Sequence, residues 1–226
     1  MSQGGADERL RAAFEADLEA IGLGAGQGAF TSAALTYAAL LAKWNARIRL
    51  VGPSDLATIV REQVVDALGF ALAVHALDDE EGFWDVGAGG GLPGILLALR
   101  FPERHFVLVE PIHKKTAFLS HAAHELGLEN VVVHTGRVEA DGAVVPALTL
   151  PFERPRAALS RATLAPGPWL ATARHLVAPG GLVLIAVADA VPEAVMADPH
   201  SAPAGRWSWV VPATGAPRSI LARRVV

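Results

Sequence analysis

The chain has 226 residues, of which 52% are hydrophobic and 19% are charged, and its formal net charge is −4. This length and composition predict a globular protein with a substantial buried core. The absence of cysteine excludes disulfides, a thiolate nucleophile and cysteine-ligated zinc, and the negative charge excludes a global attraction for nucleic acid.

No stretch approaches the roughly 18 uninterrupted apolar residues of a transmembrane helix. The first twenty residues carry charge where a signal peptide would be apolar. We therefore expect no membrane association and a cytoplasmic location.

The first third of the chain is predicted to be helical. From Asp7 to Ile21, apolar residues recur at helical spacing. Two further helices are predicted at about residues 30–44 and 54–76, with Ser54 as the N-cap of the third. These helices define a predicted N-terminal helical extension over residues 1–77.

The remainder, residues 78–226, alternates short apolar runs with helical stretches, which predicts βαβ units and a mainly parallel sheet. The predicted strands are FWDV, HFVLVE, NVVVH, AALS and LVLIAVA. Residues 207–212 and 219–226 predict two further strands, joined by a turn and antiparallel. Residues 141–155 and 189–205 are predicted to be loops.

Glycine is concentrated in Trp84–Gly94, WDVGAGGGLPG, directly after a predicted strand. Ordering a glycine costs roughly 0.5–1 kcal/mol more than ordering an alanine, so the loop indicates close approach of backbone to a ligand. The spacing Asp85-x-Gly87-x-Gly89-x-Gly91 differs from the G-x-G-x-x-G of dinucleotide-binding loops. If the glycine pattern is considered by itself, an ordinary tight turn is the alternative to a ligand-binding loop.

A second acid, Glu110, ends the second predicted strand nineteen residues after Gly91. A carboxylate there can accept hydrogen bonds from both hydroxyls of a ribose, and it repels a 2′-phosphate. A solvated acid at a strand end is the alternative. Together with the glycine loop, Glu110 favours an adenosine-containing ligand.

Four segments, DVGAGGGLPGILLALRFPERHFVLVEPIHKKTAFL, HELGLENVVVHTGRVE, LSRA and APGG, resemble the bacterial 16S ribosomal RNA guanine-N7 methyltransferase family, known as RsmG or GidB. The upstream WNARIRLVG is similar to the family's WNxxxNLT. The resemblance implies an α/β, Rossmann-like class I methyltransferase that uses S-adenosylmethionine (AdoMet), with a mainly parallel seven-stranded sheet over residues 78–226. It also implies methylation of guanine N7 in 16S ribosomal RNA (rRNA).

The resemblance further implies which residues bind the cofactor. The loop residues would lie at the methionine end, Glu110 at the ribose, and Val138 with Glu139 at the adenine. The full set is Asp85, Gly87, Ala88, Gly89, Gly91, Glu110, Val138 and Glu139.

On the substrate side, Arg161 in LSRA falls at the family's active-site arginine, where a guanidinium fork can hold guanine O6 or a phosphate. An ion pair or a strand-end cap is the alternative reading of Arg161. Lys114, Lys115 and Asp66 match further substrate-binding positions.

The substrate half departs from the family pattern. The family's RHxxDS segment keeps only its aspartate here. Its lysine–glycine ending of the fifth strand reads Ala188-Asp189, and Arg49 stands where the family has asparagine. The altered substrate-side positions are Glu62, Gln63, Ala67 and Ala188. The alternatives are therefore methylation of another RNA base or a small molecule, or a non-catalytic AdoMet- or RNA-binding relative. A nicotinamide-dependent oxidoreductase is disfavoured by the loop spacing.

No metal is predicted, because His121, His124 and Glu125 share a helix face without a third histidine at useful spacing. We expect a monomer that acts on 16S rRNA or a small-subunit assembly particle. Since the net charge is negative, RNA binding would need a local basic rim. Its candidate members are Arg47, Arg49, Lys114, Lys115, Arg154, Arg156, Arg161, Arg218, Arg223 and Arg224; separate solvated charges are the alternative.

Overall fold

A computed structural model describes residues 3–24, 28–77, 82–177, 179–187 and 190–226. Its strands alternate with helices after residue 81, where the apolar runs are short and rich in β-branched residues. The strands are β1 (Gly82–Val86), β2 (His105–Glu110), β3 (Val131–Thr135), β4 (Arg137–Val138), β5 (Val144–Val145), β6 (Ala157–Ser160), β7 (Leu182–Val187), β8 (Ser201–Val211) and β9 (Ala216–Val225).

Seven of these strands form one sheet in the order β3-β2-β1-β6-β7-β9-β8. The first five in that order pair in parallel, and β9 runs antiparallel to both β7 and β8. Along the sequence, the sheet begins with β1 and continues through β2 to β3 at one edge. It resumes with β6, which lies on the other side of β1. This reversal opens a crevice at the carboxyl ends of β1 and β6, which is where open α/β sheets bind their ligands.

The helices cover both faces of the sheet. They are α1 (Gln3–Ala20), α2 (Gly28–Asn45), α3 (Leu56–Thr58), α4 (Val65–Leu68), α5 (Phe70–Ala76), α6 (Gly94–Arg100), α7 (His113–Glu125), α8 (Pro166–Leu176) and α9 (Glu193–Met196). None of the described helices combines the length and apolar character needed to cross a lipid bilayer.

The predicted third helix consists of α3, a π-helical segment at Ile59–Val64, α4 and, after a turn at Gly69, α5. Its N-cap is Asp55, whose Oδ1 accepts the N–H of Thr58 at 2.8 Å. The prediction that Ser54 caps this helix was therefore wrong. Short π segments of this kind occur often beside functional sites.

The N-terminal helices share a hydrophobic core with one face of the sheet. Phe14, Tyr37 and Leu68 belong to the same buried cluster as Phe106 and Phe118. Helix α8 covers the opposite face through a second buried cluster. The division of the chain at residue 77 stays a prediction, while the packing joins both predicted parts through one core.

Two predicted loops contain secondary structure. In 141–155, β5 pairs with β4. In 189–205 lie α9 and the start of β8, which begins at Ser201. Sequence reasoning missed the start of β8 because of Pro203 and Gly205. Both are tolerated there, since β8 is an edge strand and its register shifts between these two residues.

Candidate cofactor and acceptor site

The glycine loop leaves β1 at the crevice and is fixed by backbone hydrogen bonds to the next strand. The N–H groups of Gly87 and Ala88 both donate to the carbonyl of Val109, at 2.8 and 3.2 Å, and Gly91 N–H donates to the carbonyl of Ala88 at 2.7 Å. The loop therefore has a defined shape at the end of β1 and β2. This arrangement brings the predicted loop residues to the crevice.

Glu110, at the end of β2, is buried and connects the glycine loop to the start of α7. Its Oε2 accepts the N–H of Gly89 at 2.9 Å, and its Oε1 accepts the N–H of Ile112 at 3.0 Å. Each carboxylate oxygen has two lone pairs, so these contacts leave acceptor capacity for ribose hydroxyls. The structure thus gives Glu110 a loop-ordering contact that sequence reasoning did not predict.

Asp85 lies in β1 beneath the same loop and is 1% exposed. Its Oδ2 accepts the N–H of Gly94 at 2.9 Å, while its Oδ1 has no hydrogen-bond partner among the described residues. Burial raises the pKa of this carboxyl from its ordinary 3.8 to about 7; the Gly94 N–H and the Arg161 guanidinium oppose that rise, and Glu110 adds to it. A buried oxygen without a donor is costly unless a ligand supplies one.

The space above Gly89 fits a ligand that lies directly on the backbone. Gly89 has a φ of +58°, and a Cβ built there meets nothing closer than the Gly87 carbonyl oxygen at 3.8 Å. AdoMet carries an ammonium group and a ribose with two hydroxyls. The unpartnered oxygen of Asp85, the carboxylate of Glu110 and this open backbone therefore fit the chemistry of AdoMet.

The helical extension holds the outer side of the loop. The hydroxyl of Tyr37 in α2 donates to the carbonyl of Gly90, and both are buried. Burial raises the pKa of Tyr37 well above its ordinary value, so the phenol stays a proton donor. The extension thus positions the cofactor loop as well as filling the core.

The predicted adenine-binding pair lies in the β4–β5 hairpin. Val138 is half-buried, and Glu139 accepts a hydrogen bond from the Arg137 side chain. The backbone N–H of Glu139 donates to the carbonyl of Ala143 at 2.8 Å, which closes the hairpin. Among the described residues, neither side chain forms a hydrogen bond to Glu110 or Asp85.

Arg161 follows β6, whose last residue, Ser160, donates its hydroxyl to the carbonyl of Val86 at 2.8 Å. The Nη1 atom of Arg161 lies 3.2 Å from Asp66 Oδ2, and its Nη2 donates to Gln63 Oε1 at 3.2 Å. The ion pair considered as an alternative for Arg161 is therefore present. It joins two residues that were both predicted on the substrate side.

Arg218 in β9 donates from Nε to Asp66 Oδ1 at 3.1 Å, so one carboxylate lies between two guanidinium groups. Sequence reasoning placed Arg218 only in a general basic rim. No local pattern marks it, because Asp66 lies 152 residues away and only the pairing of β9 with β7 brings the two together.

These residues line a cavity of about 630 Å³ at the carboxyl ends of β6 and β7. Its walls combine the two guanidinium groups with aromatic and aliphatic side chains. Among the lining residues are Gln63, Asp66, Arg161, Arg218, Trp169 and Trp209. Ala162, next to Arg161, has a φ of +59°, a strained conformation of the kind found at functional sites.

The altered positions are not all at this cavity. Gln63 binds Arg161, Ala67 is buried in the core, and Glu62 is half-buried. Ala188 lies outside the described residues. Lys114 and Lys115 are in the first turn of α7 and do not line the cavity.

The predicted helix face of His121, His124 and Glu125 lies on α7. His121 packs against the ring of Trp44, and His124 Nδ1 is 3.9 Å from Glu125 Oε1. Within the described ranges, no group of three or more His, Cys, Asp or Glu side chains could hold a metal ion.

A family model described as rRNA small subunit methyltransferase G (GidB) matches residues 31–201. The chain belongs to this family. The ribosomal RNA small subunit methyltransferase G of Burkholderia pseudomallei (strain 1106a) is 40% identical over 178 residues, which are 78% of this chain and 74% of the relative. The protein of that name from Burkholderia mallei (strain NCTC 10229) is 39% identical over the same extent.

Solved structures share the fold of this family member at low identity. A putative O-methyltransferase from Klebsiella pneumoniae aligns with 98% of this chain and 100% of its own at a TM-score of 0.58 and 14% identity. A Burkholderia thailandensis 1,6-didemethyltoxoflavin-N1-methyltransferase, solved with S-adenosylhomocysteine, aligns with 89% of this chain and 92% of its own at a TM-score of 0.53 and 16% identity. The predicted class I fold is confirmed, and the protein is an AdoMet-dependent methyltransferase.

Proposed function

We propose that this protein transfers the methyl group of AdoMet to N7 of a guanine in 16S rRNA, as a cytoplasmic monomer. The observation that carries the proposal is the position of Arg161. It is held by Asp66 and Gln63 at a cavity beside the glycine loop, and its charge acts on the buried carboxyl of Asp85. A cation that orients the acceptor thus lies next to the loop that fits the methyl donor.

AdoMet supplies an electrophilic methyl carbon when it is bound. In the transfer, the N7 lone pair forms a bond to that carbon while the carbon–sulfur bond breaks, leaving a neutral thioether and a positively charged purine. No proton has to move before the transfer, so a catalytic base is not required. The chain's main task is to hold the two reacting atoms about 3–3.5 Å apart and in line.

Arg161 is proposed to orient the acceptor through guanine O6 or through its phosphate. A fork that engaged both O6 and N7 would occupy the lone pair that reacts, so the proposed contact leaves N7 free. Asp66 shares its charge between Arg161 and Arg218. The carboxylate thereby offsets repulsion between these cations and the positive charge that develops on the purine.

For the cofactor, we propose that Asp85 faces the methionine ammonium group, Glu110 the ribose, and Val138 with Glu139 the adenine. Gly87, Ala88, Gly89 and Gly91 supply the backbone on which it lies. The orphaned Oδ1 of Asp85 and the open space above Gly89 support this orientation.

The proposal is tested by transfer of labelled methyl groups from AdoMet to rRNA from a strain that lacks the protein. We expect label in the small-subunit RNA and cleavage at 7-methylguanine after borohydride and aniline treatment. Arg161→Gln should lower kcat/KM for RNA by about 100-fold or more, with the Kd for AdoMet nearly unchanged.

Arg174→Gln is the matched control, because Arg174 also pairs with an aspartate and its side chain is 24% exposed against 19% for Arg161. It should leave kcat/KM for RNA intact. Label on another base or only in small molecules would overturn the assigned acceptor. Binding of AdoMet without transfer to any rRNA preparation would instead indicate a non-catalytic relative.

A further inference from the structure

All three lysines of the chain lie on two helices that pack against each other. Lys43 is near the end of α2, and Lys114 and Lys115 are in the first turn of α7. Lys43 and Lys114 are exposed, and Lys115 is partly exposed. In a protein with a net charge of −4, this concentration sets one surface apart.

The junction of the two helices is built from aromatic rings. The ring of Trp44 lies 5.6 Å from that of Phe118 and 5.4 Å from that of His121, measured between centroids. Residues four and three positions apart share one stripe of a helix, so Lys114 lies on the same stripe as Phe118 and His121. The cations of α7 therefore continue the surface that begins at the end of α2.

The segment after α2 adds two arginines in a fixed loop. Asn45 Oδ1 accepts the N–H groups of Leu50 and Val51 at 2.8 and 3.0 Å, and its Nδ2 donates to the carbonyl of Pro53 at 2.7 Å. Arg47 and Arg49 are exposed on this loop. Their backbone is thus ordered before any ligand binds, which lowers the entropic cost of recognition.

This surface borders the cofactor site. A Cβ at Gly90 in the glycine loop would lie 3.4 Å from the Cβ of Leu50, so the arginine-bearing loop is directly beside it. Within the part of the chain that the structure describes, no carboxylate pairs with Lys43, Arg47, Arg49, Lys114 or Lys115. The nearest acid along the stripe of α7, Glu125, lies near His124 at the far end of the helix.

We infer that these five cations, here named the α2–α7 surface (Lys43, Arg47, Arg49, Lys114 and Lys115), bind the phosphate backbone of the RNA that flanks the methylated guanine. The inference rests on the proposed function and extends it to a second contact region, separate from the cavity of Arg161. Unpaired cations on an ordered surface position a nucleic acid through its phosphates and carry little base specificity.

The lysines allow a direct test by amine acylation and mass spectrometry. A transcript of the small-subunit RNA should reduce the acylation of Lys43, Lys114 and Lys115 several-fold. AdoMet alone should not, because these side chains lie outside the proposed cofactor site. Acylation that stays unchanged while the same transcript is methylated would overturn the inference.

A charge-matched pair of double variants gives the second test. Arg47→Gln/Arg49→Gln removes two cations from the α2–α7 surface. Arg154→Gln/Arg156→Gln removes two exposed cations of the wider candidate rim, which precede β6 and therefore lie at the amino ends of the parallel strands, away from the crevice at their carboxyl ends. The first variant should raise KM for RNA about tenfold, with kcat and the Kd for AdoMet unchanged. It should also make the negative slope of log K for RNA binding against log salt concentration shallower by about 1.4–1.8. The second variant should leave the KM for RNA and the salt slope near their wild-type values.

The outcomes separate the two proposals. If wild-type protein methylates RNA but both double variants keep the wild-type salt slope, the inference is overturned and the proposed function stands. Protection of the lysines by a small-subunit particle that persists after nuclease has removed its RNA would assign the surface to a protein partner and also overturn it. If wild-type protein methylates no RNA, the proposed function fails, and the inference fails with it.

Discussion

The carboxylate of Glu110 holds the backbone N–H of Gly89, 21 residues earlier in the chain, at 2.9 Å. The contact closes the glycine loop onto the end of β2 and places a buried negative charge beside the proposed ribose position. A charged acceptor strengthens such a hydrogen bond relative to a neutral one. The same side chain is thus proposed both to shape the loop and to bind the ligand.

Glu110→Gln should weaken AdoMet binding by about tenfold or more and lower the free energy of unfolding by about 1–2 kcal/mol. The amide keeps one acceptor oxygen but presents an NH₂ group to a backbone N–H that needs an acceptor. Calorimetric titration and thermal unfolding measure the two effects. Glu129→Gln, at an exposed position after α7, is the control and should change neither quantity; an unaltered Kd in Glu110→Gln would contradict the proposed role.

Gly89→Ala and Gly127→Ala form a matched pair. Both glycines have a positive φ, +58° and +64°, and neither has an atom within 3.4 Å of the added Cβ position. Alanine should therefore cost each site about 1 kcal/mol of backbone strain, visible as a similar drop in Tm. AdoMet affinity should fall at least tenfold only for Gly89→Ala, because its methyl group occupies the proposed ligand space. Equal affinities in the two variants would place the cofactor elsewhere.

The raised pKa of Asp85 predicts a pH-dependent stability. A carboxyl whose pKa is about 7 in the folded protein and near 4 when unfolded stabilises the fold below pH 4, and this contribution is lost as the pH rises through 7. Wild-type protein should thus lose stability relative to Asp85→Asn between pH 4 and 7. Chemical denaturation at a series of pH values measures the difference, and parallel profiles would show that Asp85 is already ionised.

The same carboxyl predicts a pH dependence of cofactor binding. A ligand ammonium group beside Asp85 favours its ionised form, so AdoMet affinity should increase as the pH rises from 6 to 7, a range in which an α-ammonium group stays protonated. Binding near neutral pH should also release a proton, measurable by calorimetry in buffers of different ionisation enthalpy. Asp85→Asn should abolish both effects, and proton release that persists in this variant would assign the titration to another group.

Asp66→Asn should lower RNA methylation through the two arginines that Asp66 holds. It removes the charge that holds Arg161 and Arg218, so kcat/KM for RNA should fall by about tenfold or more, at a stability cost of about 1–3 kcal/mol. Asp198→Asn is the control, because Asp198 also holds an arginine, Arg174, and a serine, Ser201, away from the cavity. A comparable loss of activity in both variants would point to a general stability effect.

The residue pattern alone determined the α/β class and the position of the glycine loop. Apolar periodicity and turn residues are local signals, so β1, β2, β3, β6 and β7 appear near their predicted bounds. These local signals fail where the composition of a strand resembles that of a loop. The short β5 and the start of β8 were missed because their strand structure depends on pairing partners rather than on their own residues.

Only the tertiary structure decided which side chains meet. Arg161 lies 95 residues from Asp66, and Arg218 lies 152 residues from it, so no local spacing relates them. The contact of Glu110 with Gly89 likewise depends on the parallel pairing of β1 with β2. Periodicity reports which face of an element is buried, whereas the register and order of the strands set the neighbours across the sheet.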